Sequence, residues 1–387
     1  MKRITRKKRK PRLGKIIFSA IKKLSKQARR RPYKVARRRP DKKKKGGRRK
    51  KSALPASLAR IEKNPIILPR PQNGWEAWQT FNPGVILLED KIHFVYRAIG
   101  EDGISRLGYA RSNDGFAINE RLPYPIYEHR LTNPVFNYYS FASGGSFGGA
   151  EDPRPVRVDE EDTLYMCYTA CANGLGVALT SIKVGDFLNK KWRWRSPRLI
   201  SKPGEVHKNW VIFPEKVNGK YAILHSISPK IGIAYRDSLE FQEGEYIESY
   251  YDGNIRRKNC WDNWVRGAGA PPLKTRLGWL LFYQAMDEAD PGKYKVGAMI
   301  LDGNDPTKTL CRAQEPVLEP ETEYENNGSK AGVVYVTGAV IKNGELLVYY
   351  GASDSCIGIA HADLEQFLGT LKQEGRPKLQ IKTLKGK

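Results

Sequence analysis

The sequence contains an internal repeat, and this repeat constrains the fold more than any other feature. A glycine followed by a hydrophobic residue and then, in most copies, an alanine recurs five times, at intervals of 68, 56, 65 and 61 residues. The copies begin at Gly108, Gly176, Gly232, Gly297 and Gly358. A repeat of this length is typical of folds in which one supersecondary unit packs against the next copy of itself.

Each copy of the glycine motif is preceded by the pattern of a β-hairpin. An apolar strand leads into a tight polar turn, and a second strand then ends in tyrosine or histidine. Two of the turns are Asn-Gly, at Asn218 and Asn343, and this pair accepts the positive φ angles of a hairpin turn. Residues alternate between the two faces in 221–225 and 346–350, as in strands. Each unit is therefore a hairpin followed by a further strand.

Five such units predict an all-β protein. Repeated units of three to four strands more often close into a propeller, which leaves only short and protected edges, than stack into an open solenoid. We therefore predict a five-bladed β-propeller over residues 61–372. A short basic C-terminal tail is expected at 373–387.

The positive charge of the chain lies almost entirely in one segment. Met1 to Ser52 hold 27 of the 68 Lys and Arg residues and a single acid, whereas the remaining chain holds 41 basic and 40 acidic side chains. Like charges at this density oppose folding, so we predict a polybasic, mostly disordered tail over 1–60. Apolar residues at helical spacing in 13–24 could form a short amphipathic helix there. The tail is either a nonspecific cationic arm or a contact for nucleic acid or an anionic membrane surface.

Several protein classes are excluded by composition. The chain has no run of 18 apolar residues that would form a transmembrane helix, and its start lacks the features of a secretory signal. Five cysteines without a CxxC pair, and histidines without an HExxH pattern, indicate neither a disulfide framework nor a metal site. We expect a cytoplasmic protein with reduced thiols, no metal and no cofactor.

The starts of the repeats carry residues that suit a ligand site. In a propeller, the first strand of each blade lines the central channel, so side chains at its start face the mouth. Carboxylates, amides and cations from distant parts of the chain meet there. They are Asn82, Glu151, Asp152, Glu215, Lys216 and Lys274, with Arg97 ending a second strand and Asp354 at the far end of the fifth copy. An acid beside proline, as in Asp152-Pro153, is also common where a chain merely turns into a strand.

The run GGAEDPR at 148–154 resembles the central motif of glycoside hydrolase family 130. This family contains the β-mannoside phosphorylases and their hydrolytic relatives. The resemblance continues in order through 81–86, 94–116, 211–225, 269–285, 294–306 and 333–354. It spans roughly residues 61–370 and leaves out the basic tail. The resemblance implies a five-bladed architecture, which agrees with the number of repeats.

The resemblance implies an inverting reaction in which inorganic phosphate cleaves a β-mannoside and releases mannose 1-phosphate. Asp152 matches the family's general acid, which is thought to act through a sugar hydroxyl. Phosphate is already an anion, so the reaction needs a cradle of Lys and Arg rather than a second carboxylate. The residues implied are Asn82, Arg97, Glu151 and Asp354 for the β-mannoside, and Lys274, Arg198, Lys216 and Lys295 for phosphate.

Two departures from the family pattern leave other functions open. Lys295 lies in a motif where the phosphorylases often have His, and Glu215 lies where an Arg is expected. Hydrolytic relatives use Glu to activate water, so Glu215 as a base makes an inverting β-mannoside hydrolase the first alternative. The second alternative is a non-catalytic propeller that binds glycans and is anchored by its basic tail to nucleic acid or a membrane.

Overall fold

A computed structural model describes residues 54–130, 137–172, 174–249 and 256–374. The predicted polybasic tail and its amphipathic helix up to residue 53, and the basic end from 375, lie outside the described residues. Within the described ranges the fold is all-β, as the repeat predicts. None of the helices in these ranges is long and apolar enough to cross a membrane.

The strands form five successive antiparallel units after a short first strand, β1 (Ala59–Arg60). Unit one contains β2 (Gln79–Leu88), β3 (Lys91–Ile99), β4 (Ile104–Ser112) and β5 (Glu120–Arg121). Unit two contains β6 (Gly148–Arg157), β7 (Thr163–Cys171), β8 (Gly176–Lys183) and β9 (Arg198–Leu199). Unit three contains β10 (Val211–Ile212), β11 (Tyr221–Ser226) and β12 (Gly232–Arg236).

Unit four contains β13 (Trp264–Ala268), β14 (Leu273–Thr275), β15 (Gly278–Asp287), β16 (Asp290–Leu301) and β17 (Thr309–Arg312). Unit five contains β18 (Val334–Lys342), β19 (Glu345–Ala352) and β20 (Cys356–Asp363). The α-helices are α1 (Tyr138–Gly144), α2 (Val184–Leu188), α3 (Glu323–Asn326) and α4 (Leu364–Glu374), and Gly74–Glu76 forms a short 3-10 helix.

The five units form four hydrogen-bonded sheets, and none of these sheets closes on itself. Units one and two share a sheet because two residues of β4 pair in parallel with Gly148 and Gly149 of β6. At the other end of the described chain, β1 pairs with β20 and becomes the outer strand of unit five. Residues 59–60, which fall within the predicted tail, therefore take part in the last unit.

Packed side chains, rather than a continuous sheet, connect neighbouring units. An aromatic pair bridges each unit to the next along the chain, and one more bridges unit five to unit one. In chain order these pairs are His93–Phe187, Tyr165–Tyr221, Phe213–Trp279, Tyr294–Tyr335 and Phe94–Tyr349, with ring centroids 5.7, 6.1, 5.1, 6.2 and 4.9 Å apart. Tilted and edge-on pairs at these distances stabilise beyond the area that they bury.

The repeated glycine recurs because a side chain covers it. In units one, four and five, the glycine lies opposite a tyrosine on the neighbouring strand. A Cβ atom on Gly108, Gly297 or Gly358 would come within 2.4, 2.1 or 2.6 Å of the side chain of Tyr96, Tyr283 or Tyr350, respectively. No side chain fits at such distances. In units two and three, the space is taken by Leu199 beside Gly176 and by His225 beside Gly232.

The hydroxyl group of each of these three tyrosines joins the same arrangement of charges. It donates to a buried acid that precedes the unit's first strand, at 2.7, 2.7 and 2.8 Å in units one, four and five. That acid also pairs with an arginine on the unit's outermost strand. The three sets are Tyr96, Glu76 and Arg121; Tyr283, Asp262 and Arg312; and Tyr350, Glu325 and Arg60.

We expect Gly297→Ala to lower the free energy of unfolding by about 1–3 kcal/mol, because the added methyl group would clash with the ring of Tyr283. Gly292 lies on the same strand, β16, with open space where a Cβ would stand. Gly292→Ala is therefore the matched control, with an expected change below about 0.5 kcal/mol. Urea unfolding followed by circular dichroism measures both variants. Equal effects of the two substitutions would contradict this explanation of the repeat.

Candidate active site

The first strands of four units are interrupted by a β-bulge at the same place. The register shifts lie between Phe81 and Gly84, Glu151 and Arg154, Val265 and Gly267, and Val336 and Gly338. A bulge removes residues from the ladder and redirects their side chains. The displaced residues are Asn82 and Pro83, Asp152 and Pro153, Arg266, and Thr337. In unit three, Lys208 and Asn209 come just before β10.

The backbone at these positions adopts conformations that few residues tolerate. Asn82, Asp152 and Asn209 have φ angles of 45°, 49° and 67°, and Asp354, just after β19, has 48°. Asn and Asp enter this left-handed region more readily than other residues with side chains. Strain of this kind collects at functional sites, where the surrounding structure fixes it.

A fully buried arginine holds the two acids of the GGAEDPR motif together. Arg97 Nη2 lies 2.7 Å from Glu151 Oε1, and Arg97 Nη1 lies 3.4 Å from Asp152 Oδ1. Asn82 Nδ2 donates to the same Asp152 oxygen at 2.8 Å. Ser105 Oγ accepts from Arg97 Nε at 3.0 Å and so fixes the guanidinium group from the other side. The two acids therefore differ in their contacts. Glu151 forms the closer ion pair with Arg97, whereas Asp152 accepts its shorter hydrogen bond from Asn82.

Helix α1 encloses the Glu151 side of this cluster. The hydroxyl groups of Ser140, Ser143 and Ser146 donate to the Glu151 carboxylate at 2.7, 3.0 and 3.0 Å. Gly144 ends the helix directly over Arg97, where a Cβ would lie 2.7 Å from Nη1. Glu151 therefore accepts its hydrogen bonds from protein groups, and its role is to position Arg97.

Opposing effects act on the pKa of Asp152. Burial works to raise the pKa, but the charges of Arg97 and Arg154 and the hydrogen bond from Asn82 outweigh it, with Lys208 acting in the same direction. The pKa of Asp152 consequently lies below its usual value. This carboxyl group is therefore ionised at neutral pH.

Asp354 behaves in the opposite way. Burial raises its pKa to about 6, and the negative charge of Asp152 adds to the rise, while Lys330, Arg97 and Lys208 work against it. The two carboxyl groups sense each other's charge, so they belong to one electrostatic cluster. Within it, Asp354 binds a proton more readily than Asp152 does.

A group of cations meets around Tyr294, next to this acidic cluster. Burial would raise the pKa of Tyr294, but Arg266, Lys330 and Lys208 together lower it below its usual value. Lys330 Nζ lies 4.6 Å from the centre of the Tyr294 ring. Lys208 and Lys330 also act on the pKa of Asp354, so the cations adjoin the carboxyl groups.

Asn209 connects the acidic and the cationic clusters. Its Oδ1 atom accepts from Arg154 Nη2 at 3.0 Å and from the hydroxyl group of Tyr335 at 2.8 Å. Its Nδ2 atom donates to the backbone oxygen of Arg266 at 3.1 Å. Arg154 in turn donates from Nη1 to the backbone oxygen of Asp152 at 3.0 Å. The first strands of units two, three and four are fixed to one another at this point.

Five of the residues predicted from the sequence come together in the structure. They are Asn82, Arg97, Glu151, Asp152 and Asp354. All five are buried, and they come from units one, two and five. The structure thus brings together residues that are up to 272 positions apart in the chain (354 − 82).

Three other predicted residues lie at the opposite end of the first strands. Lys274 is in β14, and its Nζ atom lies 3.4 Å from Glu215 Oε2. The backbone of Lys216 donates to Asp159 at 3.1 Å, in the turn that follows β6. At roughly 3.3 Å per residue, this turn is about 20 Å along the strand from Asp152. Lys274 and Lys216 therefore do not contribute to the cluster, and the predicted hydrolytic base, Glu215, does not either.

Arg198 and Lys295 also lie away from Asp152. Arg198 is exposed on β9, the outermost strand of unit two. Lys295 Nζ lies 3.2 Å from Glu319 Oε2. Successive strand residues point to opposite faces. Tyr294 contacts the cations of the site, so the side chain of its neighbour Lys295 points away from them. The prediction that these two residues bind phosphate receives no support from their positions.

Apart from Arg97, the cations around Asp152, Asp354 and Tyr294 are not among the residues predicted from the sequence. They are Arg154, Lys208, Arg266 and Lys330. In units three and four the sequence shows a hairpin pattern only from 213 and 270 onwards, whereas the first strands begin at Val211 and Trp264. Lys208-Asn209 and Arg266-Gly267 come before the start of that pattern in the sequence. Arg266 nevertheless occupies the same bulge position in its strand as Asp152 does in β6. Lys330 comes from a loop before β18 and carries no such signal.

We expect Asp354→Asn to stabilise the protein at pH 8 and not at pH 4. The folded-state pKa of Asp354, about 6, exceeds its ordinary value of 3.8, so ionisation of this group destabilises the fold as pH rises through that window. The asparagine removes a penalty of roughly 2–3 kcal/mol at pH 8. Urea unfolding of both proteins at the two pH values measures the difference. A gain of the same size at both pH values, or a loss at pH 8, would contradict it.

Comparison with known proteins identifies the family. A family model described as β-1,4-mannooligosaccharide phosphorylase matches residues 57–373. A 1,2-β-oligomannan phosphorylase and a β-1,2-mannobiose phosphorylase of Thermoanaerobacter sp. (strain X514) are 35% and 32% identical, each across 80% of this chain and 98% of its own length. The structure of β-1,2-mannobiose phosphorylase from Listeria innocua with β-1,2-mannobiose aligns with a TM-score of 0.63 at 26% identity, covering 82% of this chain and 99% of that one. The chain belongs to glycoside hydrolase family 130, together with these mannoside phosphorylases.

Proposed function

We propose that the protein is an inverting mannoside phosphorylase that transfers a mannosyl group from a β-mannoside to inorganic phosphate. The observation that carries this proposal is the group of cations around Tyr294, namely Lys208, Arg266 and Lys330, of which Lys208 also acts on Asp152 and both lysines act on Asp354. Fixed cations suit a phosphate anion, and they stabilise the charge that moves during its attack. Inorganic phosphate is then a co-substrate, and the residues that we assign to it replace those predicted from the sequence.

In this reaction Asp152 supplies a proton to the leaving group through a hydroxyl group of the bound mannose. The proton arrives at the glycosidic oxygen as its bond to the anomeric carbon breaks. A phosphate oxygen forms a new bond to that carbon from the opposite face, which inverts its configuration and gives mannose 1-phosphate. Asn82 and Arg97 orient the Asp152 carboxyl group, and the mannose lies among Asn82, Arg97 and Asp354.

We also infer that the five units are blades around one axis. The aromatic pairs support this, because they connect unit five to unit one as well as every pair of consecutive units. The hydroxyl group of Thr337 in unit five also donates to the backbone oxygen of Pro83 in unit one, at 3.0 Å. Such contacts suit a propeller whose sheets remain separate from one another.

The first substrates to test are β-1,2-linked mannobiose and its longer oligomers. The two relatives that match 80% of the chain are named for oligomannan or mannobiose with β-1,2 linkages. The matching family model is described by β-1,4-mannooligosaccharides, so β-1,4-mannobiose belongs in the same assay.

We expect Asp152→Asn to lower phosphate-dependent formation of mannose 1-phosphate by a factor of about 100 or more. Asparagine keeps the shape of the side chain and tolerates the left-handed backbone, but it lacks the carboxyl proton. Chromatography of the products with and without phosphate measures the effect. Free mannose formed equally well without phosphate would favour the hydrolase, and no product from any mannoside would favour a glycan-binding protein.

Two lysine variants decide where phosphate binds. Lys208→Gln should raise the KM for phosphate about 10- to 100-fold, because a charge-assisted hydrogen bond contributes roughly 1.5–3 kcal/mol. Lys274→Gln should leave that KM within about twofold, because Lys274 is paired with Glu215 and half exposed. Initial rates at varied phosphate concentration measure both. The reverse result would restore the assignment made from the sequence.

A further inference from the structure

A cleft with a volume of about 200 Å³ opens beside the cations. Helix α1 forms one wall, and residues at the mouths of units three and four form the others. The residues that matter here are Tyr139, Ser143, His207, Trp210, His225 and Ser228, with Lys208 and Arg266 at one end. Lys208 Nζ lies 3.5 Å from Ser143 Oγ, so the two walls approach each other next to the acidic cluster. The cleft is therefore continuous with the candidate active site.

The chemistry of the cleft changes along its length. At the inner end, Lys208 and Arg266 provide positive charge. The remaining walls offer aromatic rings and hydrogen-bonding groups set among the aliphatic side chains of Leu175, Val206, Leu224 and Ile227. Among these groups, burial lowers the pKa of His225 to about 4, with His207 contributing, so its imidazole ring is uncharged at neutral pH. A ligand of the outer cleft is accordingly neutral, rich in hydroxyl groups and flat enough on one face to lie on a ring.

Tyr139 is placed to provide such a ring. Its side chain lines the cleft, yet the residue is 53% exposed. The helix that carries it is fixed from below, because Asn137 caps its first turn and the serines bind Glu151. An exposed aromatic side chain on a fixed support loses little freedom when a ligand covers it.

We propose that this cleft binds the sugar residues that follow the first mannose of an oligomannoside, with Tyr139 as the residue on which one of them stacks. This inference rests on the proposed function, since it extends the substrate outwards from Asp152. Asp152 and Asp354 are 3% and 4% exposed, so the mannose that is cleaved lies at the closed end of the site. The rest of the chain must leave through an opening, and the cleft is an opening whose walls suit carbohydrate.

The proposal predicts a preference for longer substrates. A disaccharide places only one sugar beyond the cleaved bond and leaves much of the cleft to water. An oligosaccharide of four mannose residues fills more of it and reaches Tyr139. Stacking on one ring contributes about as much as other aromatic contacts, which corresponds to a factor of roughly three to ten in binding.

The test compares β-1,2-mannobiose with β-1,2-mannotetraose as substrates for phosphorolysis. For Tyr139→Ala we expect kcat/KM to fall three- to tenfold with the tetraose through KM, and to change less than twofold with the biose. Tyr139→Phe is the matched control, because it keeps the ring on which a sugar would stack and removes only the hydroxyl group. It should alter neither substrate. Equal losses on both substrates in Tyr139→Ala, or no loss on either, would overturn the proposal.

A binding measurement separates this proposal from the proposed function. Calorimetric titration of Asp152→Asn with each oligosaccharide requires no turnover. Tighter binding of the tetraose that Tyr139→Ala removes supports the cleft, even if the unmodified enzyme forms no mannose 1-phosphate and the phosphorylase function fails. Turnover of the biose together with equal affinity for both oligosaccharides would keep the phosphorylase function and overturn the cleft assignment.

Discussion

The tyrosine that covers a repeat glycine also binds a buried acid, and the body of the protein depends on this interaction. The acid precedes the first strand of its unit and the arginine that neutralises it comes from the outermost strand, so one cluster ties both edges of the unit together. A buried carboxylate destabilises strongly when its partner is removed, so each arginine supports its unit, and in unit four Asp262 also pairs with Arg257. In unit five that arginine is Arg60, which is 265 positions from Glu325. The chain segment before unit one thereby completes unit five, and the two ends of the described chain are fastened together.

A repeated scaffold can carry an asymmetric site because the same position differs in each unit. The bulge in the first strand is a backbone feature shared by units one, two, four and five. The residue that it redirects is Asn82, Asp152, Arg266 or Thr337, so amide, acid, cation and hydroxyl meet at one place. Unit three contributes Asn209 without a bulge, and Asn209 binds partners from three other units. The chemistry of the site is therefore set by single residues on a common frame.

How far the sequence predicts this arrangement depends on the local signal. The all-β class follows from the glycine spacing and the Asn-Gly turns, and Asp152 and Asn82 follow from their places at the starts of two repeats and from the resemblance of the surrounding motifs to the family. Lys208 and Arg266 carry no such signal, because β10 has only two residues and β13 ends before the prolines at 271 and 272. The apolar pattern therefore places the start of both first strands too late in the chain. Lys274 and Lys216 follow those late starts in the sequence, and in the structure they lie away from Asp152. Lys330 reaches the site from a loop, where no periodicity exists to indicate direction.

The protonation of Asp152 bears on why phosphate, rather than water, would be the acceptor. Without a ligand, Arg97 and Arg154 keep Asp152 ionised, so it cannot act as an acid. A phosphate anion beside Lys208 offsets the positive charge that depresses the pKa of Asp152, and its own charge favours the protonated carboxyl group. Phosphate would then serve both as the nucleophile and as the ligand that turns Asp152 into an acid. Water carries no charge and would leave Asp152 ionised, so under the proposed function an arrangement that bound phosphate would also disfavour hydrolysis.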